Sequence, residues 1–375
     1  MERVIIIGGG ILGASAAYHL AKLDVEVLLI DRHDRGQATD AAAGIICPWL
    51  SQRRNKPWYA LAKAGASYYP QLIQQLTEDG ETETGYRKVG AVSLHTDIGK
   101  LKKIKERALE RRKDAPEIGE VALLNESETQ AKFPLLAPQY SSVQVKGAAR
   151  VDGRALRDAL LNGAKKYGAE IIQGDAKLLL EENKIEGVCV NGTVYLTEKI
   201  IIAAGAWAPE LFSSFGLDVH VKAQKAQILH FREDSKDTSK WPVVIPPNDQ
   251  YILAFDDGKI VAGATHEDDK GFDVRPTVSG IHEVLDKALE IAPGLSEAAV
   301  EEIRIGLRPF TPGFLPIFGP VPQYPRILFA NGLGASGLTV GPFIGRQLAH
   351  IIVGLPTDID IANYKVDESF SKSVE

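Results

Sequence analysis

The sequence predicts an α/β fold: a Rossmann-like domain interwoven with an antiparallel β-sheet domain. Three observations lead there. The chain opens with a buried-strand pattern, a glycine-rich turn, a helix and a second buried strand. Strand–turn–helix character returns after residue 150, near residue 200 and again close to the C-terminus. Between these segments lie stretches of alternating strands, most plainly over 217–300. Nothing in the chain reads as a repeat or a low-complexity linker.

The first element, "RVIIIG", is a β-branched apolar run suited to a strand buried on both faces. "GGGILG" makes the turn, "ASAAYHLAKL" the helix, and "VEVLLID" a second buried strand ending in Asp31. "ATDAAAGIICPWL" is small and apolar. "YALAKAGASYYPQLIQQLTED" reads as a long amphipathic helix kinked at Pro70. "YRKVGAVSLHTD" reads as a strand pair, and "VALLNESETQAKFPLL" as a strand followed by a short helix. "IGKLKKIKERALERRKDA" reads as a helix whose basic run forms a solvated face. "VDGRALRDALLNGAKKYGAEIIQGD" is a capped helix leading into a strand, and "KIIIAAGAWAPEL" a strand, a turn at Gly205 and a helix start. "VHVKAQKAQILHF", "DQYILAF" and "GKIVAGATH" alternate as strands. "RILFANGLGASGLTVGPFIGRQLAHIIVG" closes the pattern with strand, glycine turn and helix.

Composition narrows the function. The 375 residues fit two or three domain-sized units. The chain is 45% hydrophobic and 25% charged, ordinary for a soluble globular protein. A net charge of -6 argues against a nucleic-acid binder. The two cysteines, Cys47 and Cys189, make neither a disulfide scaffold nor a metal site, and point to a reducing compartment. The N-terminus lacks a signal-peptide pattern and no window reaches the length of a membrane span. The expected address is the cytoplasm. Homo-oligomer formation is left open.

Gly8, Gly10 and Gly13 form G-x-G-x-x-G between a strand and a helix, with Asp31 closing the next strand. Gly8 allows the tight turn, Gly10 lets backbone N–H groups approach a pyrophosphate, and Gly13 lets helix and strand pack closely. The helix N-terminus favours the phosphate charge. The motif alone is weak and does not choose between FAD and NAD. Its position at the extreme N-terminus, the small residues Ala38–Ile45, and the later αβ segments with a second glycine turn favour the longer, flavin-bearing dinucleotide.

With these residues in view, the chain resembles the D-amino-acid oxidase family of flavoproteins, and within it the glycine oxidase, sarcosine oxidase and D-amino-acid dehydrogenase-like members. The matching blocks are "VIIIGGGILGASAAYHLAK", "ATDAAAGI", "VDGRALRDALLNGAKKYGAEI", "IIAAGAWA", "IVAGATHE", "GLRPFTPGFLPIFG" and "FANGLGASGLTVGP". They stand in the family's order and cover nearly the whole chain. The resemblance implies a bound FAD and oxidation of an amino acid or small secondary amine, with hydride passing from the α-carbon to flavin N5. It implies residues 1–80, 145–216 and 300–375 as the FAD-binding domain, and 81–144 and 217–299 as the substrate-binding domain.

The cofactor contacts it implies begin with Gly8, Gly10, Ile11, Leu12, Gly13, Asp31 and Arg32. They continue through Ala38, Thr39, Ala43, Gly44 and Ile45, then Lys177, then Ala204, Gly205 and Trp207. They end on Leu333, Gly334, Ala335, Ser336, Gly337, Leu338 and Thr339, which wrap the flavin end. The family's carboxylate-binding arginine falls on Arg308, whose planar fork suits a carboxylate. The substrate-contacting tyrosine falls on Tyr251. His266 is either a tuner of amine protonation or a structural histidine.

Two departures from the family pattern matter. Ala335 stands where some glycine oxidases carry a second arginine, and "RPFTPGFLPIFG" lacks the cysteine that tethers FAD in the sarcosine oxidase branch. FAD is therefore expected to be held without a covalent bond. Arg53 and Arg54 are either at the mouth of the site or in an exposed loop, Trp49 and Trp58 either wall the pocket or simply pack, and Cys47 reads as a small packed residue. Neither a catalytic triad nor a metal site is expected. Two further readings stay open: a dehydrogenase feeding an acceptor other than oxygen, and a flavin-binding accessory subunit.

Overall fold

Val4–Ile7 contains only β-branched residues, all buried, and such side chains fit the pleated interior of a sheet covered on both faces. In the computed structural model, which describes residues 3–372 except 182, 183, 198, 214 and 215, this strand is central to a six-stranded sheet. The order is Ile317–Val321, Tyr324–Asn331, Lys199–Ile202, Val4–Ile7, Val27–Asp31, Glu170–Gln173. All neighbours are parallel except the edge pair formed by Ile317–Val321 with Tyr324–Asn331. Parallel neighbours need crossovers, and helix Ile11–Ala21 supplies the first.

A second sheet of eight strands runs Ala299–Phe310, Lys222–Arg232, Lys259–Gly263, Tyr251–Ala254, Val243–Ile245, Ala91–His95, Ser141–Val145, Val121–Leu124. Its pairs are antiparallel but for Val243–Ile245 beside Ala91–His95. Strand Ala299–Phe310 belongs to this sheet although its sequence falls in the stretch expected to join the dinucleotide domain. The reason is its long antiparallel match with Lys222–Arg232, which sets Gln224 opposite Arg308. The expected strand pair in "YRKVGAVSLHTD" is not a pair. Arg87–Lys88 bonds to Ala149–Arg150, while Ala91–His95 joins the large sheet.

Helix Ile11–Ala21 and helix Gly337–Val353 pack directly against each other. A Cβ on Gly345 would meet Ser15 Cβ at 2.6 Å, and one on Gly341 would meet Ile11 at 2.9 Å. The Ser15 hydroxyl donates to the Pro342 carbonyl at 2.7 Å. Pro342 lacks an N–H for the carbonyl of Leu338 one turn earlier. That carbonyl accepts instead from the Tyr69 hydroxyl at 2.5 Å. Tyr69 comes from helix Lys56–Glu78, capped by Asn55, which accepts from Trp58 N. No helix among the described residues is long and apolar enough to cross a membrane.

Candidate cofactor and substrate site

Gly8 ends the first strand with φ +107°, and a Cβ there would stand 2.4 Å from the Ala203 carbonyl. Only glycine lets the turn close this tightly against the neighbouring strand. Gly13 takes the matching place one helical turn on, where a Cβ would lie 1.8 Å from the Gly8 carbonyl. The Ile11 N–H donates to Thr39 Oγ1 at 3.0 Å. The helix has no side-chain cap from Gly10 and no acid in its first turn, so beyond the Ile11 amide its positive end is left for an anion. Asp31 is buried and accepts from Gly9 N at 2.5 Å, from His33 N at 2.6 Å and from Gln37 Nε2 at 2.8 Å. The acid therefore shapes the turn as well as facing the cavity.

A cavity of about 950 Å³ runs from this turn to Arg308. Its lining includes Gly8, Gly10, Ile11, Leu12, Asp31, Arg32, Ala38, Thr39, Ala43, Gly44, Ile45, Lys177, Ala204, Gly205 and Trp207. Leu333 through Thr339 line it continuously, and so do Arg308 and Tyr251. Of the cofactor and substrate contacts expected from sequence, two do not. Gly13 is spent on helix–strand packing. His266 follows the end of strand Lys259–Gly263, and its side chain is exposed to solvent. Partial desolvation, then the positive charge of Arg308, hold the His266 imidazole below the ordinary histidine value.

Sequence reading missed Asn331 and the acids Asp34, Asp175 and Glu210, and left open whether Trp58 walls the pocket. Asn331 is buried between the Gly205 turn and the Gly332 turn. Its Nδ2 donates to the Gly205 carbonyl at 2.9 Å and its Oδ1 accepts from Gly332 N at 2.7 Å. Arg32 is held by Asp34 at 2.6 Å, Glu210 at 2.9 Å and Asp175 at 3.3 Å, a cluster gathered from three parts of the chain. Trp58 lines the cavity and its indole N–H donates to Ser336 Oγ at 3.1 Å, whereas buried Trp49 packs away from it. Cys47 and Cys189 are free thiols on the cavity wall, and burial pushes the Cys47 thiol up to about 12.

The lining tests well for a dinucleotide carrying a flat ring. Helix Gly337–Val353 again has no side-chain cap and no acid in its first turn. Gly8 and Asp31 would hold the pyrophosphate and ribose end, and the Gly334–Thr339 turn the ring end. At that ring end the Nη1 of Arg308 is buried without a hydrogen-bond partner among the described residues. Tyr251 lines the cavity near this guanidinium. Burial raises the phenol above its usual value, the arginine opposes this, and the net direction is upward.

The family model for FAD dependent oxidoreductases (DAO) matches residues 3–351. The chain is 57% identical over 365 residues to the "uncharacterized oxidoreductase YurR" of Bacillus subtilis (strain 168), covering 97% of this chain and 98% of that one. It is 28% identical over 369 residues to a glycine oxidase of Pseudomonas aeruginosa, with 97% and 98% covered. The crystal structure of iminodiacetate oxidase (IdaA) from Chelativorans sp. BNC1 matches with a TM-score of 0.94 at 45% identity, over 97% of this chain and 99% of that one. The fold, the glycine turns and these matches together place the chain in the DAO family of FAD dependent oxidoreductases, with FAD as its cofactor.

Proposed function

We propose that the protein oxidises a small α-amino carboxylate, either an amino acid or a secondary amine of the iminodiacetate and sarcosine kind. The observation that carries this reading is Arg308, a guanidinium whose buried Nη1 has no partner among the described residues, at the ring end of the cavity. A buried unpaired donor is costly, and a substrate carboxylate would satisfy it with charge-assisted hydrogen bonds. The names of two relatives agree, since glycine and iminodiacetate are both amino carboxylates.

FAD, when bound, supplies an acceptor at N5 for the hydride leaving the substrate α-carbon. The chain supplies position and field. Arg308 fixes the carboxylate and so points the α-carbon at one face of the ring site. Tyr251, kept protonated by burial, offers its hydroxyl to the same group. The Arg308 charge also favours the neutral form of the nearby amine, the form able to release hydride. Amides at Leu338 and Thr339, at the uncapped helix start lining the cavity, would stabilise negative charge on the reduced ring. The imine product then hydrolyses in water. "RPFTPGFLPIFG" contains no cysteine, so FAD is held without a covalent bond, and the two free thiols support a cytoplasmic address.

The test is anaerobic. Glycine, sarcosine, iminodiacetate, proline and D-amino acids are added in turn to the yellow protein. At least one amino carboxylate bleaches the flavin band, while the matching amine without its carboxylate does not. A protein bleached equally well by both would overturn the reading.

A further inference from the structure

A second cavity, of about 530 Å³, opens beside the first turns of helix Lys56–Glu78 and the last turns of helix Ile98–Arg112. Its wall carries Arg53, Arg54, Lys56, Lys63, Arg107 and Arg111 against one carboxylate, Asp114. The basic run of helix Ile98–Arg112 is thus not solely a solvated face. Arg107 and Arg111, four residues apart, turn together toward the other helix.

The cluster is not explained by internal pairing. Arg53, Arg54, Lys56, Lys63 and Arg107 make no ion pair among the described residues. Arg107 Nε and Nη2 are buried without partners, and so is the hydroxyl of Tyr59. Arg111 is fixed in place. Its Nη1 donates to the Trp49 and Ser51 carbonyls at 2.7 Å each, and its guanidinium lies 4.3 Å from the Tyr59 ring centre. Partial burial holds Arg53, Arg107 and Arg111 below the usual arginine value, with no carboxylate paired to any of the three among the described residues. Six like charges around one hollow repel, and orphaned buried donors cost stability. Both penalties vanish when a polyanion with several acceptor oxygens enters. The positive end of helix Lys56–Glu78 adds to the attraction.

We propose that this cavity binds a compact, multiply charged oxyanion, at a site separate from that of FAD and substrate. Arg107 and Arg111 form its floor, and Arg53, Arg54, Lys56 and Lys63 its rim. The site adjoins the substrate cavity: Arg53 lies 4.8 Å from the Trp58 ring centre, Arg111 donates to the Ser51 carbonyl, and Trp58 and Ser51 both wall the main cavity. The ligand chemistry has two sources, phosphoryl oxygens or clustered carboxylates, and the experiment separates them.

FAD-loaded protein is titrated calorimetrically with pyrophosphate and, separately, with citrate, at constant ionic strength. The expected result is saturable binding of at least one of them, one per chain, with a dissociation constant below about 1 mM. Pyrophosphate alone assigns phosphoryl ligands; citrate alone assigns polycarboxylates. Arg107→Gln weakens binding at least tenfold with the flavin spectrum unchanged, and Arg107→Lys weakens it less. Arg54→Gln, a change at an exposed rim position, weakens it about threefold and keeps the test open should Arg107→Gln not fold. The absence of saturable heat with both anions overturns the proposal, as does an affinity untouched by Arg107→Gln and Arg54→Gln.

Discussion

Tyr251 and Arg308 line the main cavity together, one from strand Tyr251–Ala254 and the other from strand Ala299–Phe310. Tyr251→Phe removes the hydroxyl while keeping the ring. KM for the amino carboxylate should rise about tenfold, from the loss of about 1.4 kcal/mol, with a smaller change in kcat. Steady-state kinetics of Tyr251→Phe, Arg308→Lys and the double variant check the coupling. Strictly additive effects would remove Tyr251 from the carboxylate site.

Arg308→Gln keeps size and hydrogen-bonding capacity but removes the charge and the two-pronged grip. kcat/KM for the amino carboxylate should fall about 100-fold or more, a loss of about 3 kcal/mol. Bound FAD, read from its visible absorbance, should be retained. An unaltered KM would refute the assignment.

Gly13→Ala places a methyl group 1.8 Å from the Gly8 carbonyl position, where backbone has to move. The turn that faces the pyrophosphate should open, and the purified variant should carry less than a tenth of the FAD of the parent. The ratio of flavin to protein absorbance measures this. Full FAD content would mean that the turn tolerates the shift.

Acid should destabilise the fold through two buried histidines. Burial lowers His19 to about 4, with nearby Arg346 adding to it, and lowers His230 to about 3, with Arg304 and Lys259 adding. Unfolded histidine titrates near about 6.5, so between about pH 6.5 and 4 the unfolded chain binds protons that the folded chain does not. The stability is full above that range and lost as pH falls through it. Each histidine contributes about 1.4 kcal/mol per pH unit. Urea unfolding at pH 7 and pH 5, in saturating FAD, should show this slope. His230→Leu should remove about half of it, because neither His230 ring nitrogen has a partner to lose.

What the sequence made legible was local. The first strand, turn, helix and Asp31 are contiguous, so their pattern names both the fold and the phosphate end of the site. Arg308 was reached through resemblance, and its place on the large sheet follows from pairing with a strand some eighty residues earlier. Misreadings arose where partners are distant. Arg87–Lys88 and Ala91–His95 look like one hairpin, yet each finds its neighbour elsewhere. Asn331 looked like one more turn residue, although its amide ties the Gly205 turn to the Gly332 turn. Arg53 and Arg107 sit in two basic stretches far apart in sequence, and only the packing of two helices turns them to one hollow.

The direct seating of Gly345 on Ser15 makes the paired helices a caliper. Each jaw ends in a glycine turn at one end of the FAD cavity, and the hinge is a contact too tight for any side chain. The spacing of the two turns is thus set by the protein's own packing. A mononucleotide would meet only one jaw. Widening the hinge with Gly345→Val should therefore loosen phosphate and ring ends together, although residue 345 faces neither.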